Sequence, residues 1–262
     1  MRIVVKVGTS TLTQGGKKLS QKYMLELTGQ LSSLQAIGHE VILVSSGAMA
    51  AGRELLGITP VDQSLPLKQM FAAIGQVELM RTWSKLFLLH EIHVGQILLT
   101  KEDLSDAKRC QNAKDTLSCL FQHRAVPIIN ENDSVATEEI RVGDNDNLAA
   151  LVGNLMGADL LILLTDQQGL YTADPRLDPA ATLIPLVECI DDSIFALAKG
   201  PSTSCGTGGM ITKIEAAKIA TDSGTLTIIA SSAIPNVLID ICNGKKIGTS
   251  FLPKTRGGLT CK

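Results

Sequence analysis

The chain has 262 residues, room for one large α/β domain or two lobes, and 45% of them are hydrophobic, so a substantial core can form. Aromatic residues make up only 3%, which disfavours base-stacking platforms, and a net charge of −2 with a pI near 6.1 gives no global basic footprint for nucleic acid or an anionic membrane. Six scattered cysteines (110, 119, 189, 205, 242 and 261), with no C-x-x-C pair, point away from a disulfide framework or zinc site and towards reduced thiols in a cytoplasm.

Residues 2–7 read as an apolar strand interrupted by Lys6, a lysine so early that no secretory apolar segment fits before it. Gly8-Thr9-Ser10-Thr11 follows as a small flexible loop rich in N–H and hydroxyl donors. A lysine at a strand's end beside such a loop can meet phosphate; it can equally sit on an edge strand. Residues 20–37 place Leu27, Leu31 and Leu34 at helical spacing, with Gly38 as the C-cap. A second buried strand, 41–44, runs into Ser45-Ser46-Gly47-Ala48 and a helix through Leu55. Strand, small-residue turn and helix together aim backbone N–H groups at an anion, or simply make a tight packing turn.

Residues 57–66 read as a linker, 67–89 as one long amphipathic helix or a pair, 94–99 as a third strand and 112–124 as a helix. The apolar run 125–129 is a buried strand that opens into the most polar stretch of the chain, 129–148. Those twenty residues carry six acids, four asparagines and two serine or threonine hydroxyls, and they close on Asn145-Asp146-Asn147 directly before a helical pattern, 148–156. Polar side chains between a strand's end and a helix's start mark a ligand crevice in open α/β sheets; a long solvated loop with an Asx helix cap is the other reading.

A central strand, 160–164, ends at Thr165-Asp166 and turns through Gln167-Gln168-Gly169 into irregular surface structure at Asp174-Pro175 and Asp178-Pro179. The window 148–165 is very apolar, but Asn154 and Asp159 break it into helix, turn and strand, not a membrane span. Gly206-Thr207-Gly208-Gly209-Met210-Ile211-Thr212-Lys213 leads into a helix ending at Gly224. Its glycines can bring backbone amides close to phosphate, with Lys213 in the first turns; an ordinary flexible loop is the alternative. Residues 226–230 and 247–252 read as the last strands. The alternation of strand and helix predicts an α/β fold with an open, mainly parallel sheet sandwiched by helices.

Familiar nucleotide and metal signatures are missing. Gly16-Lys17 and Gly244-Lys245 are each followed by lysine, so no P-loop occurs, and Gly206-Thr207-Gly208 lacks the third glycine of a dinucleotide fingerprint. There is no protein-kinase H-R-D set. His90-Glu91-Ile92-His93 is too short for a zinc H-E-x-x-H, and Asp144-Asn145-Asp146-Asn147 lacks the glycine and distal glutamate of an EF-hand loop.

Six stretches in order carry a resemblance. They are Val5-Lys6-Val7-Gly8-Thr9-Ser10, Ser45-Ser46-Gly47-Ala48, Asn130-Glu131-Asn132-Asp133, Gly143-Asp144-Asn145-Asp146-Asn147, the run from Thr165-Asp166 to Asp174-Pro175, and Gly206-Thr207-Gly208-Gly209-Met210. Over nearly its whole length the chain resembles the glutamate 5-kinases of the amino acid kinase superfamily. The Thr-Asp and Gly-Gly-Met stretches recur across that superfamily; N-E-N-D and G-D-N-D-N are much more specific to the glutamate enzymes. Many members carry a further C-terminal PUA domain, of the type found in RNA-modifying enzymes, and the chain resembles the form without it.

The resemblance implies the αβα amino acid kinase fold, with residues 1–262 as a single domain. Its approximate sub-lobes would be 1–168, for the phosphoryl acceptor, and 169–262, for the nucleotide. It implies transfer of the ATP γ-phosphoryl group to the side-chain carboxylate of L-glutamate, with Mg²⁺ entering as the ATP complex, no metal-ligating residue and no tightly bound organic cofactor. Lys6, Lys213 and Asp146 are the implied catalytic set, Asp146 holding both lysines. Ser46, Gly47, Asp133 and Asn145 are the implied glutamate contacts, Asp133 suiting the α-ammonium. ATP would meet Lys6, Gly8, Thr165, Asp166, Thr207, Gly208, Gly209, Met210, Ile211, Thr212 and Lys213.

Proline as feedback inhibitor, sensed by the second half of the acidic loop, is also implied. So are a homo-oligomer (dimer or tetramer), contact with the downstream glutamyl-phosphate reductase, and a cytoplasmic setting without nucleic acid or membrane. The competing readings are a sister kinase acting on N-acetylglutamate, aspartate, carbamate or UMP, and a catalytically silent amino-acid sensor.

Overall fold

The computed structural model describes residues 1–58, 64–136, 145–199 and 209–254. The chain divides into two compact units, Val7–Arg141 and Met1–Lys6 with Val142–Lys262. A break at 168/169 would separate two strands of the second unit that pair through six residues, Leu160↔Leu226 to Thr165↔Ser231.

The chain begins with β1 (Arg2–Val7), whose residues from Ile3 to Val7 are all buried. A strand covered on both faces has no alternating polar face, so Lys6 is buried with its apolar neighbours. The unit from Val7 to Arg141 continues with α1 (Thr9–Thr13), α2 (Gln21–Ala36), β2 (Glu40–Ser45), α3 (Ala48–Leu56), α4 (Leu65–Leu88), β3 (Val94–Leu99), α5 (Lys101–Ser105), α6 (Ala107–Gln122) and β4 (Val126–Glu131). Its strands run in the order β3-β4-β2, all parallel, so β2, β3 and β4 end on the same edge.

Local chemistry explains the helices. The Ser20 hydroxyl accepts from the Tyr23 N–H at the start of α2, and Leu27, Leu31 and Leu34 bury the expected stripe, each contributing about 1.5–3 kcal/mol. The expected flexible loop at residues 8–11 is instead the start of α1. Leu12 is fully buried, and its N–H donates to the Gly8 carbonyl at 3.0 Å, so packing overrides the weak helix propensity of threonine. α4 is one helix with Pro66 in its first turn, not a pair. α6 starts at Ala107, earlier than the expected 112, because the Asp106 carboxylate accepts from the Arg109 N–H. α5 before it was not anticipated; reciprocal bonds between Thr100 and Asp103 form its capping box.

The other unit contains α7 (Asn145–Met156), β5 (Leu160–Thr165), β6 (Leu186–Val187), α8 (Asp192–Lys199), α9 (Met210–Asp222), β7 (Leu226–Ser231), α10 (Val237–Cys242) and β8 (Thr249–Phe251). Strand order is β1-β5-β7-β8-β6; the β5–β7 and β6–β8 pairs are parallel and the β7–β8 pair is antiparallel. The open, mainly parallel α/β architecture is therefore as expected. The antiparallel return of β8 and the short elements β6, α8 and α10 were not.

Among the described residues, Cys110, Cys119 and Cys242 are free cysteines. No helix among the described residues is long and apolar enough to cross a membrane.

Candidate active site

In the unit built from both ends of the chain, three charged side chains converge. Lys6 Nζ lies 2.5 Å from Asp146 Oδ1, and Lys213 Nζ lies 3.2 Å from Asp146 Oδ2. Asp146 is 0% exposed, Lys6 4% and Lys213 6%. Three buried charges are costly unless they compensate each other, and here each lysine has the shared carboxylate within reach.

The helical register explains why they are buried. In α9, Ala216, Ala217 and Ala220 form the buried stripe, and Lys213 stands three, four and seven residues before them on that same face. In α7, Ala149, Ala150 and Gly153 stand at the same spacings after Asp146. The two helices pack against each other, and the Asn154 amide of α7 donates to the Ile219 carbonyl of α9 at 3.2 Å. Packing the helices thus carries both charged residues inward. Asp146 also sits in the first turn of α7, where the helix dipole favours a carboxylate.

Thr212 completes the cluster. Its hydroxyl lies 2.8 Å from Asp146 Oδ2 and 2.9 Å from the Gly209 carbonyl oxygen. One hydroxyl proton serves two acceptors, and the charged carboxylate is the stronger. Burial pushes the Asp146 carboxyl upward, but the charges of Lys6 and Lys213 and the hydrogen bonds from Lys6 and Thr212 outweigh it, leaving its pKa below the ordinary value. Lys6 shifts downward. Burial is the main cause and the charge of Lys213 adds to it, against the opposing pull of Asp146.

This cluster brings together Lys6, Asp146 and Lys213 of the expected catalytic set. Asn145 precedes Asp146 at the helix start, where residues 145–147 form the first turn. Thr165 ends β5 and donates to Asp166 Oδ1 at 3.0 Å; Thr165 is buried and Asp166 exposed. Gly209 is the N-cap of α9, and Met210 and Ile211 fill its first turn. Thr207 and Gly208 lie outside the described residues. Thr212 was expected among the nucleotide contacts; its bond to Asp146 is a role that no spacing in the sequence announces. Among the described residues, no group of three or more histidine, cysteine, aspartate or glutamate side chains is placed to hold a metal ion.

The remaining expected residues belong to the other unit. Gly8 is the N-cap of α1. The Ser46 N–H donates to the Val7 carbonyl at 3.0 Å, which ties the end of β2 to the end of β1. Gly47 opens α3 with φ 106°, a left-handed conformation, and a Cβ there would lie 3.0 Å from Leu12 Cδ1. Asp133 stands in the turn just after β4. Burial raises its pKa to about 6, and among the described residues no cation faces it.

Known proteins resemble the chain over nearly its whole length. The amino acid kinase family model matches residues 1–231. The chain is 52% identical over 250 residues to the glutamate 5-kinase of Haemophilus influenzae (strain PittEE), covering 95% of this chain and 68% of that protein. It is 53% identical over 249 residues to that of Pasteurella multocida (strain Pm70), with the same coverages. With the glutamate 5-kinase of Vibrio campbellii it shares 52% identity over 251 residues, covering 96% of this chain and 66% of that protein. The chain therefore spans about two thirds of the length of these curated relatives. The crystal structure of UMP kinase from Bacillus anthracis superposes with a TM-score of 0.64, covering 97% of this chain and 96% of that one, at 14% identity, a likeness of fold alone. Matched by the family model over most of its length and by relatives at half identity, the chain belongs to the amino acid kinase family, among the glutamate 5-kinases.

Proposed function

We propose that the protein transfers the γ-phosphoryl group of ATP to the side-chain carboxylate of L-glutamate. The products are ADP and L-glutamyl 5-phosphate, the first intermediate on the way to proline. The observation that carries this reading is the fully buried Asp146 carboxylate held by two buried lysines.

The chemistry needs little from a general base. A free glutamate side chain has a pKa of about 4.3, so the nucleophile is ionised at neutral pH. The obstacle is repulsion between a carboxylate and a polyanion, which the catalyst must overcome by positioning and charge neutralisation. Lys6 and Lys213 around one carboxylate leave one positive charge in excess. Lys6 meets the transferring group from the acceptor side and Lys213 from the nucleotide side. Asp146 keeps the two ammonium groups from repelling each other apart before the phosphoryl group arrives.

Asp133 takes the α-ammonium of glutamate, which favours a free amino acid over an N-acetylated one. Asn145, Ser46 and Gly47 complete the acceptor contacts. Gly8, Thr165, Asp166 and residues 207–213 serve the nucleotide, which brings Mg²⁺ with it. Acceptor contacts then fall within residues 1–168, together with Gly8, Thr165 and Asp166 of the nucleotide set, while the nucleotide contacts 207–213 fall within 169–262, a functional division distinct from the compact units.

The test is ATP and Mg²⁺ with L-glutamate and hydroxylamine, which traps an acyl phosphate as γ-glutamyl hydroxamate. Glutamate-dependent hydroxamate and ADP that vanish in Lys213→Ala support the reading. No product from folded protein, or product only with N-acetylglutamate, aspartate, carbamate or UMP, overturns it.

A further inference from the structure

Within the unit Val7–Arg141, one helix that carries none of the family motifs touches both of the acceptor-side motifs. Trp83 of α4 donates its indole N–H to Ser45 Oγ at 3.0 Å, in the core at the end of β2. A Cβ on Gly75 would lie 1.8 Å from the Ala48 carbonyl oxygen, and one on Gly52 would lie 2.0 Å from the Phe71 carbonyl oxygen. The backbones of α3 and α4 are therefore in contact where they cross. Leu79 lies 3.7 Å from the point where a Gly47 Cβ would be. These contacts seat the Ser45-Ser46-Gly47-Ala48 turn against α4.

The second motif is held by two glutamines. Gln69 and Gln76 are seven residues apart, two turns of helix, and so share a face. Gln69 Nε2 donates to the Ala136 carbonyl at 3.1 Å, while Gln76 Oε1 accepts from Asn130 Nδ2 at 2.9 Å. They grip the two ends of the segment 130–136, with Asp133 in the middle. The relay has a fixed direction. The Glu131 backbone N–H can only donate, and it points at Asn130 Oδ1 at 2.9 Å, so the Asn130 amide nitrogen must face Gln76. The other end of Gln76 then donates to Gln96 Oε1 on β3 at 3.2 Å.

We propose that Gln76, assisted by Gln69, is a positioning residue for glutamate, because it fixes the strand-end segment that presents Asp133. This rests on the reading of that segment as the glutamate-binding one. Neither glutamine touches the reacting atoms, so their loss acts on binding of the acceptor and spares the phosphoryl-transfer cluster.

The test uses Gln76→Met, which keeps the length and removes both hydrogen bonds, Gln76→Glu, which keeps an acceptor for Asn130, and Val77→Ala on the exposed neighbour as a control. Two readouts are taken: hydrogen exchange of residues 130–136, and steady-state kinetics. Gln76→Met should speed exchange at 130–136 and leave β5 unchanged. It should raise the glutamate KM roughly tenfold, the scale of removing one partner from a part-buried polar pair, with kcat and the ATP KM within about twofold. Gln76→Glu should restore most of the glutamate KM, and Val77→Ala should change nothing.

Unchanged exchange at 130–136 in Gln76→Met overturns the proposal. So does a fall in kcat with both KM values unchanged, the mark of a merely destabilised fold. If exchange quickens while the glutamate KM stays put, Asp133→Ala in the same assay separates the two failures. An unchanged glutamate KM there shows that the segment does not bind glutamate. A raised one shows that Gln76 does not position it.

Discussion

The two acidic groups that matter most in this protein are held in opposite ways. Asp146 is sealed from solvent but surrounded by partners, two lysines and a threonine hydroxyl, and its pKa lies below the ordinary value. Asp133 is only partly buried, faces no cation among the described residues, and its pKa rises to about 6. Burial alone therefore does not set a carboxylate's behaviour; the count of compensating partners does. The first arrangement is complete within the chain and suits a framework that must already be ordered when the reaction begins. The second has an uncompensated acid at a strand's end, suited to a ligand that brings its own positive charge.

The contrast predicts a ranking of mutational effects. Asp146→Ala should be the most damaging change, because it leaves two buried lysines facing each other. Removing one partner of a buried ion pair costs about 3–5 kcal/mol of stability, so urea denaturation should show a loss of that order, with turnover falling to background. A variant with full stability would mean that the lysines find other partners. Lys6→Ala and Lys213→Ala should come next, losing about 2–4 kcal/mol of transition-state stabilisation, read as kcat with a nearly unchanged glutamate KM. A raised KM with intact kcat would reverse the assigned roles. Thr212→Val should cost about 1.5–3 kcal/mol, the worth of a hydrogen bond to a charged group, again in kcat. Thr212→Ser, which keeps the hydroxyl, should recover most of it; if the serine variant is as poor as the valine one, the hydroxyl is not what matters.

That ranking draws on features of very different legibility in the sequence. Lys6 interrupts the apolar run from Ile3 to Val7, and Asp146 sits in the densest polar stretch of the chain, so both stand out before any fold is known. Strand–helix alternation gave the parallel core for the same reason, since buried parallel strands are continuous apolar runs. The short elements were harder. α1 is five residues of mostly β-branched composition, and the burial of Thr11, Leu12 and Thr13 that favours the helix shows only in the fold. The antiparallel β8 depends on where the chain returns, which no local pattern encodes. The bond of Thr212 to Asp146 and the part played by Gln76 were missed for a related reason. Each acts through one hydrogen bond to a residue more than fifty positions away, and a lone threonine or glutamine in a helix is usually just surface. The i, i+7 spacing of Gln69 and Gln76 is a visible signal only once something is known to lie beside that face.

The smallest effects should appear in the pH dependence of Asp133. Its folded pKa of about 6 lies above the ordinary 3.8, so the folded state holds the proton more tightly than the unfolded chain. Its contribution to stability is then fully present below the ordinary value and is lost as pH rises through about 6. A shift of this size corresponds to about 3 kcal/mol at most, and roughly half that once solvent screening of a partly exposed group is counted. Asp133→Asn should accordingly flatten the stability profile between about pH 4 and 6 and leave the region below it unchanged. Binding should run the other way. Glutamate's ammonium pairs only with the ionised carboxylate, so kcat/KM for glutamate should fall about tenfold per pH unit below about 6. Pairing also pulls the Asp133 pKa down, so glutamate binding near pH 6 should release a proton, seen in calorimetry as a heat that varies with the ionisation enthalpy of the buffer. If that release persists in Asp133→Asn, the proton comes from elsewhere and Asp133 is not the group that meets the ammonium.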